Sequence, residues 1–185
     1  LATGLSLSAG LTWSAAGIDT GNNSSNQTST AISAASCTEA KTTGAYSIAL
    51  GCSAQATYGA IAIGENARAI NGAIAIGENA YAESVMWNGE PQVSVAVGFD
   101  SVAKGEDAGA FGTRAIANAN YSTALGNYAN ASAQNAIAAG NAASASGIGA
   151  SSFGNFANAT GVNAVAIGSG GQPGAFKGAQ ALKDG

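Results

Sequence analysis

Apolar and small residues alternate with a period of two on either side of a recurring glycine, and the alternation restarts every thirteen or fourteen residues. The phrase GAIAIGENARA, which opens at Gly59, returns thirteen residues later as GAIAIGENAYA. Taking the glycine that closes each phrase as an anchor places it at Gly51, Gly64, Gly77, Gly98, Gly112, Gly126, Gly140, Gly154 and Gly168, with steps of 13, 13, 21 and then 14 throughout. A period of two is the signature of strands. Each unit is therefore expected to hold a short strand, a sharp turn at the anchor and a second short strand. A helix would not keep these columns on common faces, nor carry a glycine every fourteen residues.

The columns differ in character. One place before the anchor stand Leu50, Ile63, Ile76, Val97, Phe111, Leu125, Ala139, Phe153 and Ile167; three places before it the column is looser, from Ile48 to Val165. Two places before it are Ala49, Ala62, Ala75, Ala96, Ala110, Ala124, Ala138 and Ala166, interrupted by Ser152. The fifth place after the anchor is Ala in every full unit, and the third is Ala except at Ser101. The expected packing sets the large residues one and three before the anchor inward, against the small residues three and five after it. The Ala column two before the anchor then faces out, as a stripe along which other copies of the chain pack.

A unit of two strands and two turns is one coil of a β-solenoid. The fold class expected is thus all-β, a parallel β-solenoid of about nine coils of 13–14 residues. Its repeats span residues 44–170, preceded by an N-terminal cap or atypical strands at 1–43 and followed by a C-terminal segment at 171–185. The anchor glycines are expected to supply the positive φ that a sharp turn demands.

Composition changes this picture little. Leu, Ile, Val and Phe make up only about a sixth of the 185 residues, charged residues are 9% and the net charge is -4. Small side chains in tight layers must replace a core of large ones. The six basic residues, Lys41, Arg68, Lys104, Arg114, Lys177 and Lys183, are scattered along the chain, which argues against nucleic acid as a partner. No run of eighteen apolar residues and no charged segment leading into an apolar one occurs, so no membrane contact by this piece is expected.

The units NAIAAG, Asn135 to Gly140, and NAVAIG, Asn163 to Gly168, with the two GAIAIG copies, resemble the head repeat of trimeric autotransporter adhesins of the YadA-like kind. The resemblance covers about residues 44–170. It implies a left-handed parallel β-roll assembled as a homotrimer, displayed at a bacterial cell surface and anchored in the outer membrane through regions absent from this segment. It also implies attachment to host extracellular-matrix proteins or a cell-surface receptor, or autoagglutination. The stretch after Gly168, SGGQPGAFKGAQALKDG, shows neither the usual neck phrase nor stalk heptads. A rigid spacer that displays another binding domain is the alternative role.

Two features stand outside the repeat. The step of 21 leaves a surplus in ESVMWNGEPQ, residues 83–92, an insertion thrown out at a turn. Its Glu83, Met86, Trp87 and Glu90 form a candidate ligand-contact loop with Trp87 as anchor; alternatively Trp87 folds back over a coil edge or a neighbouring chain. Cys37 and Cys52 lie fifteen apart, a separation a disulfide could close; free thiols are the other possibility.

Chemistry is not expected. The chain has no histidine, which removes Ser-His-Asp and Cys-His arrangements and any His-containing zinc site. Two cysteines cannot hold a metal alone, Glu106 and Asp107 are merely adjacent, and no phosphate-cradling loop is present. No catalytic residue, cofactor or metal is therefore assigned. Six Asn-x-Ser/Thr triplets, at Asn22, Asn23, Asn26, Asn120, Asn130 and Asn158, read as turn composition. Tyr58, Tyr81, Tyr121, Tyr128 and Phe156 are expected in or near the second strand, on the outer wall.

Overall fold

The computed structural model describes residues 17–19, 22–23, 27–33, 39–87, 90–168 and 179–182. Within them the chain winds into a parallel β-solenoid. The first strand of each coil ends one residue before an anchor glycine: Ile48–Leu50, Ile61–Ile63, Ile74–Ile76, Val95–Val97 and so on to Val165–Ile167. These strands pair in parallel, coil on coil, with Ala49 opposite Ala62, Ala62 opposite Ala75 and Ala75 opposite Ala96. The second strands, from Lys41–Thr43 through Arg68–Ile70 and Tyr81–Glu83 to Asn158–Ala159, build the facing sheet in the same way.

The anchor turn needs glycine for two separate reasons. At Gly64 φ is +130°, and a Cβ built there would lie 2.5 Å from the backbone of Gly77 in the next coil. Neither the conformation nor the approach tolerates a side chain. Two places after each anchor from Gly51 to Gly154 a non-glycine residue takes a left-handed conformation, for example Asn66, Asn79, Asp100 and Arg114 at φ 53–56°. The difference between 13- and 14-residue coils lies at the opposite turn. Asn71 and Gly72 both have positive φ, at 55° and 80°, the two-residue pattern of a type I′ turn. Fourteen-residue coils use three residues there, with only the last left-handed, as at Asp107 and Tyr121.

The interior corrects the expected packing. Ala49, Ala62, Ala75, Ala96, Ala110, Ala124 and Ala138 are 0% exposed, with Ala166 at 2%, so the column assigned to the outside is the core. The small residues four before the anchor and three and five after it are buried with them, so the interior is four columns of Ala and Ser. The large residues one and three before the anchor point outward instead. The physical reason is thickness: tight turns draw the two sheets too close for Ile or Phe to fit between them, and only side chains of one or two heavy atoms fill the gap without voids. Where Ser replaces Ala inside, its hydroxyl is satisfied by nearby backbone. Ser152 Oγ donates to the Ala157 carbonyl at 2.7 Å and Ser122 Oγ to that of Ala119 at 2.6 Å.

The roll also exceeds its expected limits. Thr30–Ser33 pairs in parallel with Ile48–Leu50, so regular first-sheet pairing begins well before residue 44. Gly17–Asp19 then runs antiparallel to Thr30–Ser33 and reverses the chain at that end of the sheet. At the other end Gln180–Ala181 pairs in parallel with Asn158–Ala159, which adds a strand beyond residue 170.

Candidate interaction surfaces

The two outer walls of the roll are chemically unlike. The outer face of the first sheet carries Ile48, Ile61, Ile63, Ile74, Ile76, Val95, Val97, Phe111, Leu125, Ile137, Phe153, Val165 and Ile167, all partly or largely exposed in the single chain. Leu125 is 54% exposed and Ile167 72%. Ten parallel strands at about 4.8 Å spacing make this apolar face roughly 40 Å long. So continuous an apolar stripe is unusual on a single chain, and stripes of this kind serve protein, membrane or ligand contacts.

The facing wall is polar. Its outward places in successive coils are Lys41 and Thr43, Gln55 and Thr57, Arg68 and Ile70, Tyr81 and Glu83, and Val102 and Lys104. Among the described residues from Ile116 on, its outward side chains carry no charge. The register thus gathers on one wall three cations that lie far apart along the chain, a grouping their sequence positions conceal. Tyr81 stands among them. The Arg68 guanidinium lies 5.6 Å and the Lys104 ammonium 5.2 Å from its ring centroid. The Tyr81 hydroxyl donates to Glu83 at 2.5 Å. Burial raises the pKa of this hydroxyl above its ordinary 10.0, the bond to Glu83 adds to the shift, and Arg68 opposes it.

Along the anchor-turn edge a second chain of contacts links five coils. Asn66 donates to Asn79 at 3.3 Å, Asn79 to Asp100 at 3.1 Å, and Arg114 to Asp100 at 3.3 Å. Arg114 also donates to the Tyr128 hydroxyl and lies over the rings of Phe99 and Tyr128. Tyr128 and Phe156 occupy left-handed places at this edge, while Tyr58 and Tyr121 occupy them at the opposite one. Of the five aromatic residues expected near the second strand, Tyr81 alone lies in one.

The insertion is a β-hairpin, Val85–Trp87 against Glu90–Gln92, with Trp87 opposite Glu90. It leaves the roll between two buried serines that close the gap. Ser94 Oγ donates its single hydrogen to the Gly105 carbonyl at 2.6 Å, with the Glu83 carbonyl 3.0 Å away as the alternative acceptor, and the Ser94 amide donates to Ser84 Oγ at 3.0 Å. Glu83 belongs to the second-sheet strand Tyr81–Glu83 and points from the wall, not from the hairpin, which corrects its place in the candidate loop. The side chains of Met86, Trp87 and Glu90 lie outside what the structure describes, as does Cys37. Cys52 lies one place after Gly51 on the anchor edge, and no described cysteine is a free thiol. The structure therefore leaves the pairing of Cys37 with Cys52 as an expectation. Among the described residues no group of His, Cys, Asp and Glu could hold a metal ion, and no helix is long and apolar enough to cross a membrane.

No curated protein matches the chain. The family model of the YadA head domain repeat does, at residues 38–56 and in overlapping copies from 94 to 170. The stretch between those matches holds the 13-residue coils and the hairpin, yet its strands continue both sheets in register. The matched residues amount to just over half of the chain, and those from 94 to 170 cover the solenoid's 14-residue coils. The chain belongs to the YadA head domain repeat family.

Proposed function

We propose that this chain is the head of a trimeric autotransporter adhesin, three copies of which pack through the outer face of the first sheet and present the polar second wall to the surroundings. The observation that carries this reading is the contrast between the walls. The first is lined chiefly with Ile, Val, Leu and Phe; the second chiefly with Thr, Asn, Ser, Gln and a few charges, with Ile70, Val102 and Ile116 set singly among them. Burying the first face three ways removes from water what one chain cannot cover, at about 25 cal/mol per Å² of apolar surface. The roll is left-handed on this reading, as the family implies, and the trimer stands at a bacterial cell surface, anchored in the outer membrane by regions outside this segment. Three linked copies multiply a modest affinity for host matrix protein or cell-surface receptor. The Trp87 hairpin is a candidate for part of that contact.

The experiment is adhesion of the purified head to immobilised collagen, fibronectin and laminin and to epithelial cells. It is repeated with the hairpin at 85–92 replaced by a short turn, and the oligomeric mass is measured on the same samples. Binding by a trimer supports the adhesin reading. A trimer that binds none of these surfaces would instead be a spacer that displays another domain.

A further inference from the structure

We propose that the half of the second wall running from Lys41 to Lys104 is a docking strip for a linear polyanion of low charge density, of the sulfated or carboxylated polysaccharide class, lying along the coil axis. The cations stand on alternate coils. Lys41 and Arg68 are separated by the coil of Gln55, and Arg68 and Lys104 by the coil of Tyr81. At about 4.8 Å per strand, successive cations recur roughly every 10 Å along the axis. All three side chains are exposed. Arg68 and Lys104 are held against the Tyr81 ring, and the ring is held by its bond to Glu83, so less side-chain freedom is lost when an anion binds. Glu83 is the acid on these wall strands, and its carboxylate is engaged by the Tyr81 hydroxyl.

Charge density selects the partner. Duplex DNA presents one charge per about 1.7 Å of axis, far more than three cations on a chain of net charge -4 can neutralise. A polysaccharide with well-spaced sulfates or carboxylates matches the cation spacing without that excess. The described wall strands from Ile116–Ala117 to Asn158–Ala159 present no cation, so binding is expected on the half from Lys41 to Lys104. The proposal takes its biological role from the adhesin reading, but the binding belongs to the wall, so either can fail without the other.

The test measures retention of the full chain on immobilised hyaluronan, chondroitin sulfate and duplex DNA over a range of salt, with circular dichroism and mass checked for each variant. The wild type should bind the glycans with a retention that falls as salt rises, and R68Q/K104Q should lose most of that retention and its salt dependence. K104R should bind as the wild type does, and so should R114Q, whose cation lies on the edge. No retention of the wild type on either glycan at low salt would overturn the proposal. So would unchanged binding by a folded R68Q/K104Q, or binding to duplex DNA tighter than to both glycans.

Discussion

Ala62 and Ala75 pair in register on neighbouring coils, and both side chains are wholly shut off from solvent. Their neighbours Ile63 and Ile76 form the next pair of the same register and point to the outside. This pairing sets the thickness of the roll and the chemistry of its surface at once.

Enlarging the inner column should therefore cost more than removing the outer one in a single chain. Ala75→Leu is expected to lower unfolding stability by about 3 kcal/mol or more, because overpacking here must separate two sheets. Ile76→Ser should leave the fold of one coil intact and weaken association instead. Chemical denaturation of both variants, with mass measured in parallel, checks the contrast; equal loss of stability without loss of association would refute it.

Gly64→Ala is expected to destabilise by well over 1 kcal/mol. The new Cβ would lie 2.5 Å from the Gly77 backbone, at a φ of +130° that L-residues resist. A thermal melt within a degree or two of the wild type would show that the anchor turn relaxes freely.

Tyr81 and Tyr121 should ionise above the ordinary value of 10, the first chiefly through burial and the second chiefly through its hydrogen bond to Glu106. Each folded pKa exceeds its unfolded value, so the stability these hydroxyls contribute is fully present below pH 10 and is lost as pH rises through the folded pKa. Ultraviolet tyrosinate titration checks this. Tyr81→Phe should remove one late-ionising group, and a Tyr81 that titrates at or below 10 would contradict the wall geometry.

Cys37 and Cys52 should be bridged in the exported protein. Thiol titration of the unreduced, unfolded chain is expected to find no free thiol, and Cys52→Ser to cost about 3 kcal/mol, the loop-entropy value for a fifteen-residue closure. Two titratable thiols would return the pair to the free alternative.

Much of the architecture was legible in the anchor glycines, because a tight turn stacked on its own copies admits one residue type and so marks the period openly. What misled was side-chain size. Ile61 and Ile63 flank Ala62, and ordinary hydrophobic reasoning sends the larger groups inside. The informative signal was that every column of unvarying small residues must be the one whose space is fixed from two sides. The limits of the roll were hidden for a different reason: Thr30–Ser33 and Gln180–Ala181 add strands without an anchor glycine to announce them. Lys41, Arg68 and Lys104 looked scattered because their proximity exists only once the coils are stacked.

The central claim is that the outer face of the first sheet is covered by other copies of the same chain. Sedimentation equilibrium of the purified chain, alongside I63K/I76K, tests it most directly. A mass three times the 17.7 kDa chain that holds on dilution, and that falls to a single chain in the double variant, is the predicted result. A stable, soluble wild-type monomer with its apolar face in water would contradict it.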